Sequence, residues 1–224
     1  MSIKPFPKFN NNAFLQLTDM TYNEDFFILA NQLIDAGRFI DSKGWVPATS
    51  GNFSARLPDG NIAITVSGKH KGQLQLDDIM LIDADANSLD GKKPSAETRL
   101  HTSLYKRFPA VQSVLHPHSI NATLTSRLFN SEIVLEDYEL LKALAGIDTH
   151  ESRVVIPIFA NDQNIPRLAE KVEQYLDKHG VIHAYIIAGH GLYIWGSSVQ
   201  EALRHLEALE FLFDCEIRLH GCRR

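Results

Sequence analysis

Residues 111–118 read Val111-Gln112-Ser113-Val114-Leu115-His116-Pro117-His118, an apolar run that ends in an H-x-H pair. A short apolar run of this kind predicts a strand, and on an extended chain side chains two residues apart leave the same face. His116 and His118 therefore offer two imidazoles to one point. A distant partner lies in Ala188-Gly189-His190-Gly191, where two glycines let the backbone come close. Three imidazoles leave one position of a tetrahedral zinc site for a substrate oxygen, which is the catalytic type of zinc site. The same donors also suit iron, nickel and cobalt. With 10 histidines in 224 residues an H-x-H pair also arises on ordinary solvated strands, so the surroundings have to decide.

Upstream of this strand, residues 23–39 place Phe26, Phe27, Ala30, Leu33, Ile34 and Gly37 at helical spacing, which predicts an amphipathic helix. Strand-like runs follow at 52–57, 61–66 and 79–83, with a hairpin turn at Asp59-Gly60. A helix over 96–108 leads to the histidine strand and another over 119–129 leaves it. Beyond it lie a strand over 132–135, a helix beginning near Tyr138, a strand over 153–159 and a helix over 166–178. Two strands flank Gly189-His190-Gly191, and Ser198-Val199-Gln200-Glu201 opens a closing helix with a capping-box pattern. Mixed elements with short connections predict an α/β fold, a three-layer α/β/α domain around a mainly antiparallel central sheet. No linker divides the chain, so residues 23–224 are expected to form a single domain behind an N-terminal tail over 1–22.

The composition is that of a globular protein, with 44% hydrophobic and 22% charged residues. A net charge of −5 offers no basic footprint for nucleic acid. No apolar stretch approaches the ~20 residues of a membrane span, and residues 1–17 lack the apolar core of a signal peptide. A cytoplasmic protein is expected, with no membrane or nucleic-acid partner. Cys215 and Cys222 stand seven residues apart on one predicted helix, roughly 10 Å along its axis, too far for a disulfide. They read as reduced thiols.

Three segments have the make-up of anion-binding loops. Thr49-Ser50-Gly51-Asn52 and Ser67-Gly68-Lys69 combine hydroxyls with glycines, and Lys92-Lys93-Pro94-Ser95 leads into a helix whose N-terminal dipole favours an anion. Each alone reads as an ordinary turn; together they suggest a phosphate pocket. Two carboxylates compete for acid/base work: Glu97, in the first turn of a predicted helix, and Glu139, one of three acids within residues 136–139. The spacing does not separate them. His70, His101, His150, His179, His183, His205 and His220 have no H-x-H partner and read as non-ligands.

Taken in order, Thr49-Ser50-Gly51-Asn52, Ser67-Gly68, Pro94-Ser95-Ala96-Glu97, His116-Pro117-His118 and His190-Gly191 resemble the class II aldolase/adducin family, from about residue 25 to the C-terminus. The resemblance implies a zinc enzyme, one Zn2+ per subunit, acting on a phosphorylated sugar. It makes His116, His118 and His190 the metal ligands, and Gly51, Asn52, Ser67, Gly68 and Ser95 the phosphate-binding residues. It also implies a homotetramer with sites near subunit interfaces. Within the family, His190-Gly191-Leu192-Tyr193-Ile194-Trp195-Gly196 and the segment from Leu135 to Leu144 are similar to a dehydratase branch that serves methionine salvage. That branch carries its acid/base glutamate at the position of Glu139. At the position of Glu97 some dehydratases have cysteine, whereas the aldolases have glutamate. The alternatives are an aldolase that breaks a carbon–carbon bond using Glu97, and a non-catalytic module of the adducin type.

Overall fold

The structure is a computed structural model and describes residues 22–222. Helix α1 spans Glu24–Ser42; Asn23 caps it, its side-chain oxygen accepting from the Phe26 N–H, and Glu24 and Asp25 favour the dipole of its first turn. Its buried residues are Phe26, Ala30, Leu33, Ile34, Ala36, Gly37 and Ile40, the predicted stripe with Ala36 and Ile40 added and without Phe27, which is exposed. Strands β1 (Asn52–Arg56) and β2 (Ile62–Thr65) form the predicted hairpin, followed by β3 (Ile79–Ile82) and helix α2 (Thr98–Arg107). Next come β4 (Ser113–His116), α3 (Ile120–Leu128), β5 (Glu132–Leu135), β6 (Val154–Phe159) and α4 (Ile165–His179). Strands β7 (Ala184–Ile187) and β8 (Gly191–Gly196) and helix α5 (Val199–Cys222) close the chain.

The eight strands form one sheet in the order β3-β2-β1-β4-β8-β7-β6-β5. Every pair is antiparallel except β6 with β7, so the sheet is mixed and mostly antiparallel. One core lies between the sheet and α1, α3 and α5; the other packs Leu100, Leu104 and Tyr105 of α2 and Leu168, Val172 and Leu176 of α4 on the opposite face. Each such aliphatic side chain, fully buried, contributes about 1.5–3 kcal/mol. The order of strands matters for function, because β1, β4 and β8 are neighbours at the centre, where both faces are covered.

Two local expectations are corrected. The helix expected near Tyr138 is only a 3-10 turn over Glu139–Ala143. Its continuation is diverted by tertiary contacts: the Ala145 N–H donates to His205 Nε2 on α5 at 3.1 Å, and Leu141 and Leu144 are drawn into the core. At the start of α5, Ser198 Oγ accepts from the Glu201 N–H at 3.1 Å, but the Glu201 carboxylate bonds Ser197 and leaves the capping box half made. Residues 1–21 of the expected tail lie outside the described residues. Tyr22, assigned to that tail, stacks on Phe26 with ring centroids 4.2 Å apart and donates to Asp90 at 2.7 Å, so it belongs to the domain. Cys215 and Cys222 are free thiols on α5.

Candidate metal centre

Beyond the end of β4 the chain stays extended because both neighbours hold it. The Pro117 carbonyl accepts from the Leu192 N–H at 3.1 Å, and the His118 N–H donates to the Trp45 carbonyl at 2.8 Å. The alternation of an extended chain therefore carries through Pro117, and the Nε2 atoms of His116 and His118 lie 2.9 Å apart. His190 arrives from the turn between β7 and β8, its Nε2 3.4 Å from that of His116. The two glycines beside it act differently. Gly189 takes a positive φ of 63° and its N–H donates to Ser126 Oγ. At Gly191 a β carbon would stand 2.4 Å from the Pro117 oxygen and 2.9 Å from ring atoms of both His116 and His118. Only glycine lets β8 come this close to the histidine pair.

Glu97, just before α2, completes the cluster. Its Oε1 lies 3.0 Å from His190 Nε2 and its Oε2 3.4 Å from His116 Nε2, and the four donor groups all lie within 4.8 Å of one another. Burial pushes the Glu97 carboxyl up, but the His190 bond, the electrostatic pull of the adjoining imidazole groups and the bond from Asn52 outweigh it and hold it well below the usual carboxylate range. Glu97 is ionised. Burial, first of all, depresses His116 and His118 to about 3, so both imidazoles are neutral near pH 7. The Nδ1–H of His116 donates to the Leu192 carbonyl at 2.9 Å, which leaves the Nε2 lone pair facing the cluster. Three imidazole nitrogens and one ionised carboxylate are a donor set that suits a divalent metal such as zinc.

Behind Glu97 runs a buried chain of hydrogen bonds. Asn52 Nδ2 donates to Glu97 Oε2 at 2.7 Å, Asn52 Oδ1 meets His101 Nε2, His101 Nδ1 meets Ser54 Oγ at 2.7 Å, and Ser54 Oγ meets Tyr105 OH at 2.8 Å. Because the Asn52 amide donates to Glu97, its oxygen accepts from His101. The imidazole is then the Nε2–H tautomer and accepts from the Ser54 hydroxyl. His101 is fully buried and held neutral, its proton affinity lowered by burial to about 3. It is a non-ligand, as its isolation in sequence predicts, yet it supports the cluster. Its position four residues after Glu97, in one turn of the same helical segment, is a signal that sequence reasoning passed over.

The remaining residues singled out in the sequence are distributed around this centre. Gly51 has a φ of 75°, and a β carbon there would stand 2.6 Å from the His116 oxygen. Ser95 Oγ accepts from the Glu97 N–H at 3.3 Å. Ser67 and Gly68 form an exposed turn after β2. The structure brings Glu97 to the three histidines and does not bring Glu139, whose side chain is 73% exposed and ion-paired with Lys142.

The cluster lies where β4 ends and β8 begins, in a sheet covered by helices on both faces, and residues 31–217 match the Class II Aldolase and Adducin N-terminal domain. The chain belongs to that family. It is 66% identical, over 91% of its length and 100% of the relative's, to the methylthioribulose-1-phosphate dehydratase of Methylococcus capsulatus. It is 56% identical to the enzyme of the same name from Pseudomonas paraeruginosa, over 88% of this chain and 97% of that one. Among solved structures, the fold is similar to l-fuculose-1-phosphate aldolase from Thermus thermophilus, with a TM-score of 0.71 and 22% identity over 88% of this chain and 98% of that one. It is also similar to a sugar-phosphate aldolase from Thermotoga maritima, with a TM-score of 0.65 and 19% identity over 88% and 96%. Among the described residues no helix is long and apolar enough to cross a membrane.

Proposed function

We propose that the chain dehydrates 5-methylthioribulose 1-phosphate to 2,3-diketo-5-methylthiopentyl 1-phosphate, a reaction of methionine salvage, in the cytoplasm. The observation that carries this reading is the convergence of His116, His118, His190 and Glu97 in a chain 66% identical, over 91% of its length, to a methylthioribulose-1-phosphate dehydratase. In this reading His116, His118 and His190 hold one Zn2+. Bound there, zinc supplies a Lewis acid for the carbonyl oxygen next to the carbon that loses its proton.

The chain's own groups supply the rest. Gly51, Asn52, Ser67, Gly68 and Ser95 take the phosphate, so that binding energy far from the reacting bonds orients C3 and C4. The Asn52 side chain is already committed to Glu97 and His101, which leaves its backbone N–H for that role. A carboxyl takes the C3 proton and a proton reaches the departing C4 hydroxyl, giving water and an enol that becomes the diketone. Glu139 is assigned this transfer. In one chain it stands outside the cluster, so it acts on a neighbouring subunit's site in a homotetramer. Glu97 sits beside the metal donors as an ionised carboxylate and is the second acid/base group.

The test is product analysis on the phosphorylated substrate. The expected product is a vicinal diketone that retains every carbon and condenses with o-phenylenediamine to a quinoxaline. Two carbonyl fragments would make the chain an aldolase. Purified protein with neither bound metal nor turnover would point to the non-catalytic module.

A further inference from the structure

Lys71 is 1% exposed and lies in a 3-10 turn over Lys71–Gln73. Helix α1 packs so tightly there that a β carbon on Gly37 would stand 2.4 Å from the Lys71 carbonyl oxygen. Its Nζ donates to the Thr49 carbonyl at 3.1 Å and to the Lys69 carbonyl at 2.6 Å. These two carbonyls belong to separate segments, Thr49-Ser50-Gly51-Asn52 and Ser67-Gly68-Lys69, which the ammonium ties together. Among the described residues no carboxylate pairs with it. Neighbouring Lys69 is exposed and neutralised by Asp78 at 2.8 Å. Burial pushes the Lys71 ammonium down to about 8, so it remains largely charged at pH 7.

An ion removed from water without a counter-ion costs several kcal/mol, and two carbonyl dipoles offset only part of that. An apolar side chain of the same length would fill the space more cheaply. We propose that Lys71 is the fixed positive charge of the phosphate site, a positioning residue that holds the two loops in register and takes the substrate's phosphate as its counter-ion. The proposal rests on the phosphate reading above.

Calorimetric titration of the metal-loaded enzyme with inorganic phosphate tests both and separates them, using Lys71→Met and Ser67→Asp. Lys71→Met should keep its metal and its unfolding midpoint while binding phosphate roughly 30-fold or more weakly, the scale of losing one partner of a buried charge pair. KM for the phosphorylated substrate should rise with kcat less affected. Wild-type phosphate affinity in Lys71→Met overturns the proposal, and the loop reading then survives if Ser67→Asp alone is weakened. If neither variant loses affinity, both are wrong. Weakening in Lys71→Met alone supports the lysine and moves the anion away from Ser67. Should Lys71→Met not fold, the 15Nζ resonance of Lys71 in the wild-type enzyme decides: it should shift with added phosphate at the calorimetric affinity, and an unmoved resonance overturns the proposal.

Discussion

Asn52 Nδ2 stands 2.7 Å from Glu97 Oε2 and joins the first strand of the sheet to the start of α2 across 45 residues of sequence. The amide is not free to flip, because its oxygen is engaged by His101, which is oriented in turn by Ser54. The result is a donor held against a carboxylate that is itself held against two imidazoles. Orientation at the metal centre is thus set from the β1–α2 side, while the histidines arrive from β4 and the β7–β8 turn.

Asn52→Ala should fold and retain the histidine cluster but leave Glu97 with one support fewer. Loss of an outer partner of this kind costs ~10–100-fold in metal affinity or activity. Metal titration and kcat on methylthioribulose 1-phosphate measure it, and wild-type values in both would show that the bond positions nothing.

Gly191→Ala should displace the histidine pair, because the added carbon meets the Pro117 backbone oxygen at 2.4 Å and neither β4 nor β8 can yield at the centre of the sheet. At Gly189 the added carbon meets nothing within 4 Å, although a φ of 63° is strained for alanine. Metal content after dialysis should fall much further in Gly191→Ala than in Gly189→Ala. Equal retention would mean that the close approach of β8 is not what holds the ligands.

Glu139→Gln should keep fold and metal and lose the ~10²–10⁴-fold that acid/base catalysis supplies. Mixed with His118→Ala, itself inactive for want of metal, it should regain part of the activity on reassembly. In the proposed homotetramer, mixed assemblies would contain sites with three intact histidines from one chain and an intact Glu139 from the next. No recovery, or near-normal turnover of Glu139→Gln alone, would leave proton transfer to Glu97.

Glu210 on α5 is 3% exposed and accepts from Ser119, and burial, the main cause, raises its carboxyl to about 7. The folded chain therefore keeps a proton that the unfolded chain, at about 4.5, has released. Stability should fall as pH rises from about 4.5 to 7, by at most about 3 kcal/mol from this group. Glu210→Gln should remove that loss, gaining stability at pH 8 and little at pH 4.5. Urea unfolding of the metal-free protein at both values checks it, and a gain of the same size at both would contradict the linkage.

The amino-acid sequence alone determined what depends on neighbours along the chain. His116 and His118 share a face because an extended backbone repeats every two residues, and the stripe of α1 and the Asp59-Gly60 hairpin follow from equally local geometry. The need for glycine around His190 was also legible, though not that Gly191 meets a crowded strand and Gly189 a left-handed turn. Tertiary structure alone decided the rest. Glu97 rather than Glu139 joins the histidines within one chain because the strand order β1-β4-β8 and the seat of α2 bring residues 52, 97, 116 and 190 to one point. Strand order is set by pairing across long separations, which no local pattern encodes. The same holds for Lys71, whose burial between two loops depends on α1 packing over its turn, and for residues 139–146, where His205 takes an N–H that a longer helix would have used.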